Sequence, residues 1–224
     1  IYKDGAKPTM AFLSDYANFA NGLIELYLAT LELKYLKEAK LLADHMMMLF
    51  WDDEQSRFYM TRKGDEELFV RPKDEYDGAM PSGTSSAIKC LSSIAKLTGD
   101  DNFSSMFDKA VVAFLGIAAS APGAYVHSVS SLFDKTVPHR QIILAAKKDD
   151  DQAKKVYSRL QEEYMPFTTL IFYDGSDEAK KAFPELRSYD VSHAFTAYVC
   201  ENFACQNSIY EPNELLEKLG LKTE

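Results

Sequence analysis

Arg71-Pro-Lys-Asp-Glu-Tyr-Asp-Gly-Ala-Met-Pro-Ser-Gly-Thr-Ser-Ser-Ala87 is the stretch on which the reading of this chain turns. It packs acids, an Arg, a Tyr and a Pro-Ser-Gly turn between segments that read as apolar-faced helices. Loops joining helices are where a helical scaffold carries its chemistry. Working outward from it, the chain reads as mainly α. The expected architecture is a partial α/α toroid of helical hairpins with a small β-hairpin and an appended β-α-β unit.

Upstream of the loop, Phe12, Tyr16, Phe19, Leu23, Tyr27 and Leu31 recur at helical spacing and predict one apolar face. Leu36, Ala39, Leu42, Ala43, Met46, Met47 and Phe50 predict a second helix. The link is short, so the two should form an antiparallel hairpin. Phe58-Tyr-Met60 and Leu68-Phe-Val70, separated by Arg62-Lys-Gly-Asp65, predict a β-hairpin. Downstream, Ala87, Ile88, Leu91, Ile94 and Ala95 restore the helical period. Gly99 should end that helix and an Asp should cap the next. The next face is Phe103, Met106, Phe107, Ala110, Val111, Phe114, Ile117 and Ala118, and a short helix is expected from Ala124 to Phe133. This rhythm of helix pairs suggests stacked hairpins.

Pro138 marks a change of character, which predicts two domains, 1–137 and 138–224. Gln141-Ile-Ile-Leu-Ala-Ala146 reads as a buried strand, Asp149-Asp-Asp151 as a helix start, and Thr169-Leu-Ile-Phe-Tyr173 as a second strand. Such a unit should be parallel with a right-handed crossover. The loop Lys147-Lys-Asp-Asp150 has no glycine, which argues against a dinucleotide or phosphate site. Thr196 to Cys200 is a candidate third strand, and Glu211 opens a C-terminal helix.

Composition bounds the function. The 224 residues are 46% hydrophobic with a net charge of −9. That charge argues against nucleic-acid binding, which needs clustered cations. Apolar runs such as Met46 to Trp51 are too short to cross a bilayer. Three cysteines are too few for a secreted disulfide scaffold, and the expected location is cytoplasmic. The chain opens at Ile1 in Ile-Tyr-Lys-Asp-Gly5, which carries no helix start signal, so sequence is expected upstream.

Candidate site residues lie near helix starts. Asp15 and Asp77 are the acid/base candidates, because paired carboxylates suit glycosidase-type chemistry. Tyr16, Arg71, Tyr76, Ser82 and Thr84 are the expected binding groups, with free N–H groups at the helix after the loop suited to an anionic or hydroxylated ligand. The alternative is a solvated loop in which Arg71 pairs with Asp77. Among the histidines, His45 reads as a packed helical residue, and no His-x-Glu-x-His or Glu-x-x-His pair is present, so no metal and no cofactor is expected. Cys200 and Cys205 form a Cys-x4-Cys pair. A turn near Glu201-Asn202 would bring them together as a disulfide or a weak metal half-site; two buried thiols is the alternative. Cys90 reads as core.

Asp15-Tyr-Ala17, Phe50-Trp-Asp52, Arg71-x-Lys73 with Asp77-Gly-Ala-x-Pro-Ser82, Leu97-Thr-Gly-Asp100 and Thr196-Ala-Tyr-Val-Cys-Glu-Asn-x-Ala-Cys205 stand in one order. From about Leu13 to the C-terminus, that order resembles the C-terminal part of the spermatogenesis-associated, thioredoxin-fused protein family. Thr84 stands where that family usually has Asn. The resemblance implies an upstream thioredoxin-like domain and an α/α toroid similar to six-hairpin glycosidases and N-acylglucosamine 2-epimerases, of which this chain would be the last portion. Expected partners are then a sugar-like small molecule, the upstream half of the toroid and the thioredoxin-like domain, or a second copy of the fragment. The rival expectations are a non-catalytic scaffold and a thiol redox role for Cys200 and Cys205.

Overall fold

The fold is that of a computed structural model, which describes residues 10–64, 69–193, 195–201 and 204–223. Two compact units result: Ile1–Ala95 with Asp100–Phe133, and Lys96–Gly99 with Asp134–Glu224. The expected opening Ile1 to Gly5 lies outside the described residues.

The first unit is helical. Helices α1 (Leu13–Thr30) and α2 (Leu33–Phe50) pack together across a short link in which Leu31 adopts a left-handed φ of 60°. The α2 face is the expected one, with Leu36, Ala39, Ala43, Met46, Met47 and Phe50 buried. The α1 face is rotated from the expected one. Leu13, Ala17, Ala20, Leu23, Ile24 and Tyr27 are buried, whereas Phe19 is 64% exposed. Small Ala17 and Ala20 let the helices approach closely, which a count of large apolar residues overlooks. His45 is exposed rather than packed.

The β-hairpin sits earlier than expected. Strand β1 (Trp51–Asp52) pairs antiparallel with β2 (Arg57–Phe58), with Trp51 opposite Phe58. Both rings are buried and lie 4.9 Å apart, edge to face. Such a pair adds roughly 0.5–1.5 kcal/mol beyond the burial of its area. Leu68 lies outside the described residues, and Phe69 and Val70 are exposed, so β propensity there meets no packing partner. Backbone bonds hold Tyr59 and Met60 instead: Tyr59 N–H donates to the Phe50 carbonyl and Met60 N–H to the Pro72 carbonyl, at 3.0 and 2.8 Å.

Helix α3 (Gly83–Thr98) ends at Gly99, and Asp100 caps α4 (Asp101–Ala118) by accepting from Asn102 N–H at 3.0 Å, as the sequence predicts. A 3₁₀ turn at Pro122–Ala124 leads into α5 (Val126–Thr136), which runs three residues beyond the expected end.

The second unit is a four-stranded sheet with short helices. Strand β3 (Arg140–Ala145) pairs in parallel with β4 (Thr168–Tyr173), and α6 (Asp151–Gln161) makes the crossover. Asp150 caps α6, accepting from Ala153 N–H at 2.7 Å. Ile142, Ile143, Leu144, Ala145 and Ala146 are all buried, the continuous apolar run of a strand covered on both faces. After α7 (Asp177–Ala182), β5 (Thr196–Glu201) runs antiparallel to β3, and β6 (Ala204–Cys205) closes the order β4-β3-β5-β6. Helix α8 (Pro212–Lys218) follows, with Leu215 and Leu216 buried.

Gly99 has a φ of +66°, and a Cβ there would meet the Glu185 carboxylate at 2.9 Å. Gly99→Ala should therefore cost about 1–2 kcal/mol, the penalty of a left-handed non-glycine residue, read as a lower denaturant midpoint at unchanged slope.

Candidate ligand cleft

Residues 71–82 form an extended loop that leads into α3, and its acids bind helix starts. The Asp77 carboxylate is the hub. One oxygen accepts from Ser82 N–H at 2.9 Å, just ahead of α3, and the other from His127 and Ser128 N–H at 2.9 and 3.3 Å, in the first turn of α5. The Asp77 N–H itself donates to the Ala124 carbonyl at 2.9 Å. Asp74 serves the next donor, accepting from Gly83 N–H at 2.7 Å, and its carbonyl accepts from Thr84 N–H at 3.1 Å. Ser82 completes the cap through its hydroxyl, which accepts from Ser85 N–H at 3.1 Å. A buried hydroxyl chain runs from Ser82 through Ser85 to Ser128.

These contacts change two expectations. The N–H groups at the start of α3 are not free for a ligand, because Asp77, Asp74 and Ser82 take them. Nor does Arg71 pair with Asp77. Its guanidinium donates to the Thr61 carbonyl at 2.7 Å and lies 4.2 Å from the Tyr59 ring centroid. Burial pushes the Asp77 carboxyl up, but the Ser82 N–H, the Ser85 hydroxyl and the Ser128 N–H outweigh it and hold it below the usual carboxylate range. A carboxylate held ionised by fixed donors is a poor general acid near neutral pH.

Beside this clamp lies an open cleft of about 1040 Å³. Its walls come from the start of α1 and from the loop: Ser14, Asp15, Tyr16, Asn18 and Phe19 on one side, Asp74, Tyr76, Met80, Pro81 and Ser82 on the other. Asp15 stands in the first turn of α1, where one carboxylate oxygen accepts from Phe12 N–H at 2.8 Å. Tyr16 is held edge to face against Phe50, with ring centroids 5.3 Å apart. Gly83 sits where α1, Asp74 and α3 meet; a Cβ there would lie 3.0 Å from the Asp74 carboxylate and 3.2 Å from the Ser14 nitrogen.

Of the sequence-predicted residues, Asp15, Tyr16, Tyr76 and Ser82 line this cleft; Asp77, Arg71 and Thr84 do not. Thr84 faces a separate small cavity with Trp51, Arg57, Phe58, Glu75 and Phe114, and its buried hydroxyl has no partner there. Asn18 and Phe19 are cleft residues that the sequence does not mark as site residues, and Asp74 is a loop acid outside the acid/base pair chosen from the sequence. Asp74 belonged to the quoted loop, and only its reach to Gly83 separates its place from that of Asp77. None of the four histidines lines the cleft. Among the described residues, no group of three or more His, Cys, Asp and Glu converges as a metal site would require. No helix among them is long and apolar enough to cross a membrane. Cys90 is buried, and burial pushes its thiol up to about 12.

No protein-family model matches this chain. It is similar to spermatogenesis-associated protein 20 of Homo sapiens, 30% identical over 216 residues, which cover 95% of this chain and 28% of that protein. The Mus musculus protein of the same name is 31% identical over 219 residues, covering 95% of this chain and 27% of that protein. An uncharacterized Caenorhabditis elegans protein is 22% identical over 218 residues, covering 96% of this chain and 29% of it. These similarities support kinship with the spermatogenesis-associated protein 20 family over the matched segment. The chain spans less than a third of the length of these relatives.

Asp77→Asn leaves one acceptor where three backbone donors converge, and turns an amide N–H₂ toward one of them. It should cost about 1–3 kcal/mol, one lost helix cap together with a backbone donor left facing an amide, seen as a fall in denaturation midpoint. Because the folded-state carboxyl is held below its ordinary value, its contribution is present above the usual Asp range and is lost as pH falls through the folded value. The Asn variant should therefore show a shallower acid limb in stability measured between pH 5 and 2.

Proposed function

We propose that the first unit is a segment of an α/α toroid and that its cleft binds a sugar or sugar-like polyol. The carrying observation is the composition of the cleft. Carboxylates of Asp15 and Asp74, the Asn18 amide and the Ser14 hydroxyl stand among the rings of Tyr16, Phe19 and Tyr76. A polyhydroxylated ring offers donors that carboxylates and amides accept, and C–H faces that stack on aromatic rings. Sites for small ligands combine such walls with a few placed polar groups. Binding is better supported than acid/base catalysis, since Asp15, Asp74 and Asp77 each accept from a backbone N–H. On this reading the protein works in the cytoplasm.

A second reading, a scaffold that docks the upstream half of the toroid or a thioredoxin-like domain, rests on a different observation. Phe19 and Leu26 on α1, and Leu41 and Met48 on α2, are exposed at seven-residue spacing on their helices. Apolar groups in register on a helix surface mark a contact face.

A thermal-shift series with mono- and disaccharides tests the first reading. A ligand at 100 times its dissociation constant should add roughly 2.7 kcal/mol of stability. Tyr76→Ala should abolish that gain with little effect on the unliganded protein, because Tyr76 is 67% exposed. A chain that no saccharide stabilises, yet which sediments as a dimer at micromolar concentration, would replace the first reading with the second.

A further inference from the structure

The sheet edge of the second unit carries a feature that the cleft does not use. Cys200 on β5 and Cys205 on β6 stand directly opposite each other and form a disulfide with Cα atoms 3.9 Å apart. The two sulfurs are not equivalent. Cys200 is 1% exposed, whereas Cys205 is exposed at the edge of the sheet. The Tyr189 hydroxyl lies 3.0 Å from Cys205 Sγ. A disulfide sulfur has no proton, so the tyrosine is the donor. Its ring is fixed edge to face on Tyr198, with centroids 4.3 Å apart.

From this asymmetry we infer that Cys200 and Cys205 form a reversible thiol–disulfide exchange site, independent of the cleft, whose substrate class is an accessible disulfide or dithiol. In the dithiol form Cys205 is the attacking thiolate, Tyr189 is the positioning residue that donates to it, and Cys200 is the resolving thiol. The Cys205 thiolate attacks one sulfur of the partner disulfide, forming a mixed disulfide and expelling the other partner sulfur as a thiolate. Cys200 then loses its proton to water and attacks Cys205 Sγ. That step forms the Cys200–Cys205 bond and releases the second partner thiolate. Two electrons pass from the pair to the partner, and a dithiol drives the reverse.

The surroundings fit reversible chemistry better than a staple. The bond closes a separation of only 5 residues, and a short loop gains little chain-entropy stabilisation from a cross-link. Strand β5 pairs with β3 along its whole length, from Thr196 to Glu201, so its place in the sheet has backbone bonds besides the disulfide. Asp190, next to Tyr189 in the chain, acts on Tyr198 and stands 3.6 Å from the His193 imidazole. Burial, and after it Tyr198 and Glu185, pushes the Tyr189 hydroxyl above its ordinary value and keeps it protonated; Glu201, next to Cys200, is paired with Arg140 at 3.2 Å. A donor at an exposed sulfur stabilises its thiolate.

The test uses the whole chain, reduced with dithiothreitol, freed of reductant and pulsed with iodoacetamide from pH 6 to 9, with the modified sites mapped by mass spectrometry. Cys205 should react first, with a midpoint below the ordinary thiol value of about 8.5. Buried Cys90 should remain unmodified until the protein unfolds, which makes it an internal control. Tyr189→Phe should raise the Cys205 midpoint. If the hydrogen bond is worth a tenfold change in thiolate fraction, the weaker nucleophilicity of a lower-pKa thiolate offsets part of it, and alkylation near neutral pH should slow about threefold. Oxidised glutathione should re-form the Cys200–Cys205 bond in the wild type and leave a stable mixed disulfide on Cys205 in Cys200→Ser. A native disulfide that resists dithiothreitol until the protein is denatured would overturn the inference, as would an unchanged Cys205 pH profile in Tyr189→Phe.

Discussion

The carboxylate of Asp77 is the constraint on which the first unit depends. It reaches the Ser82 N–H, 5 residues on and just ahead of α3, and the His127 N–H, 50 residues on in the first turn of α5. Helix starts leave backbone donors without intrahelical partners, and in a packed interior those donors must find acceptors. One ionised side chain meets this need at two helices at once. The dipoles of both helices favour a negative charge at that point. The buried serines Ser82, Ser85 and Ser128 extend the same junction with hydroxyl bonds.

The cleft is a consequence of that junction. With Asp77 and Asp74 anchoring the loop to α3, the segment Tyr76 to Pro81 stands out beside α1 rather than lying flat. Gly83 permits the close approach of α1 that sets the width of the cleft base. Leu13 N–H donates to the Met60 carbonyl at 3.0 Å, so the chain after the β-hairpin fixes the position of α1 in turn. The loop is therefore architectural and wall-forming at once, and its acids divide between these roles. Asp77 holds helix ends away from the cleft, while Asp15 and Asp74 cap backbone donors at its rim.

Much of this was legible in the sequence where the signal is local. The β-α-β unit follows from two continuous apolar runs and an aspartate cap, and the α2 and α4 faces follow from large apolar residues at helical spacing. The α1 face was misplaced because its buried stripe rests on Ala17 and Ala20, which carry little hydrophobic weight. The β-hairpin was misplaced because strand propensity at Phe69 and Val70 is silent about whether anything packs on them, whereas Trp51 and Phe58 find each other. Within the site, the loop and most of its polar residues were visible. The division of labour between Asp74 and Asp77 was not, since it depends on donors in α5 that only the folded chain brings near. The disulfide was one of several open readings because a Cys-x4-Cys spacing does not say whether the two sulfurs face each other; the pairing of β5 with β6 sets Cys200 opposite Cys205.

An acid titration followed at the backbone amides tests the central role of Asp77 most directly. If one carboxylate joins α3 to α5, the amide proton shifts of Ser82, His127 and Ser128 should move together with a single midpoint below 3.8, the ordinary Asp value. Separate midpoints for the Ser82 amide and the α5 amides, or no acid-dependent shift at either, would contradict the account.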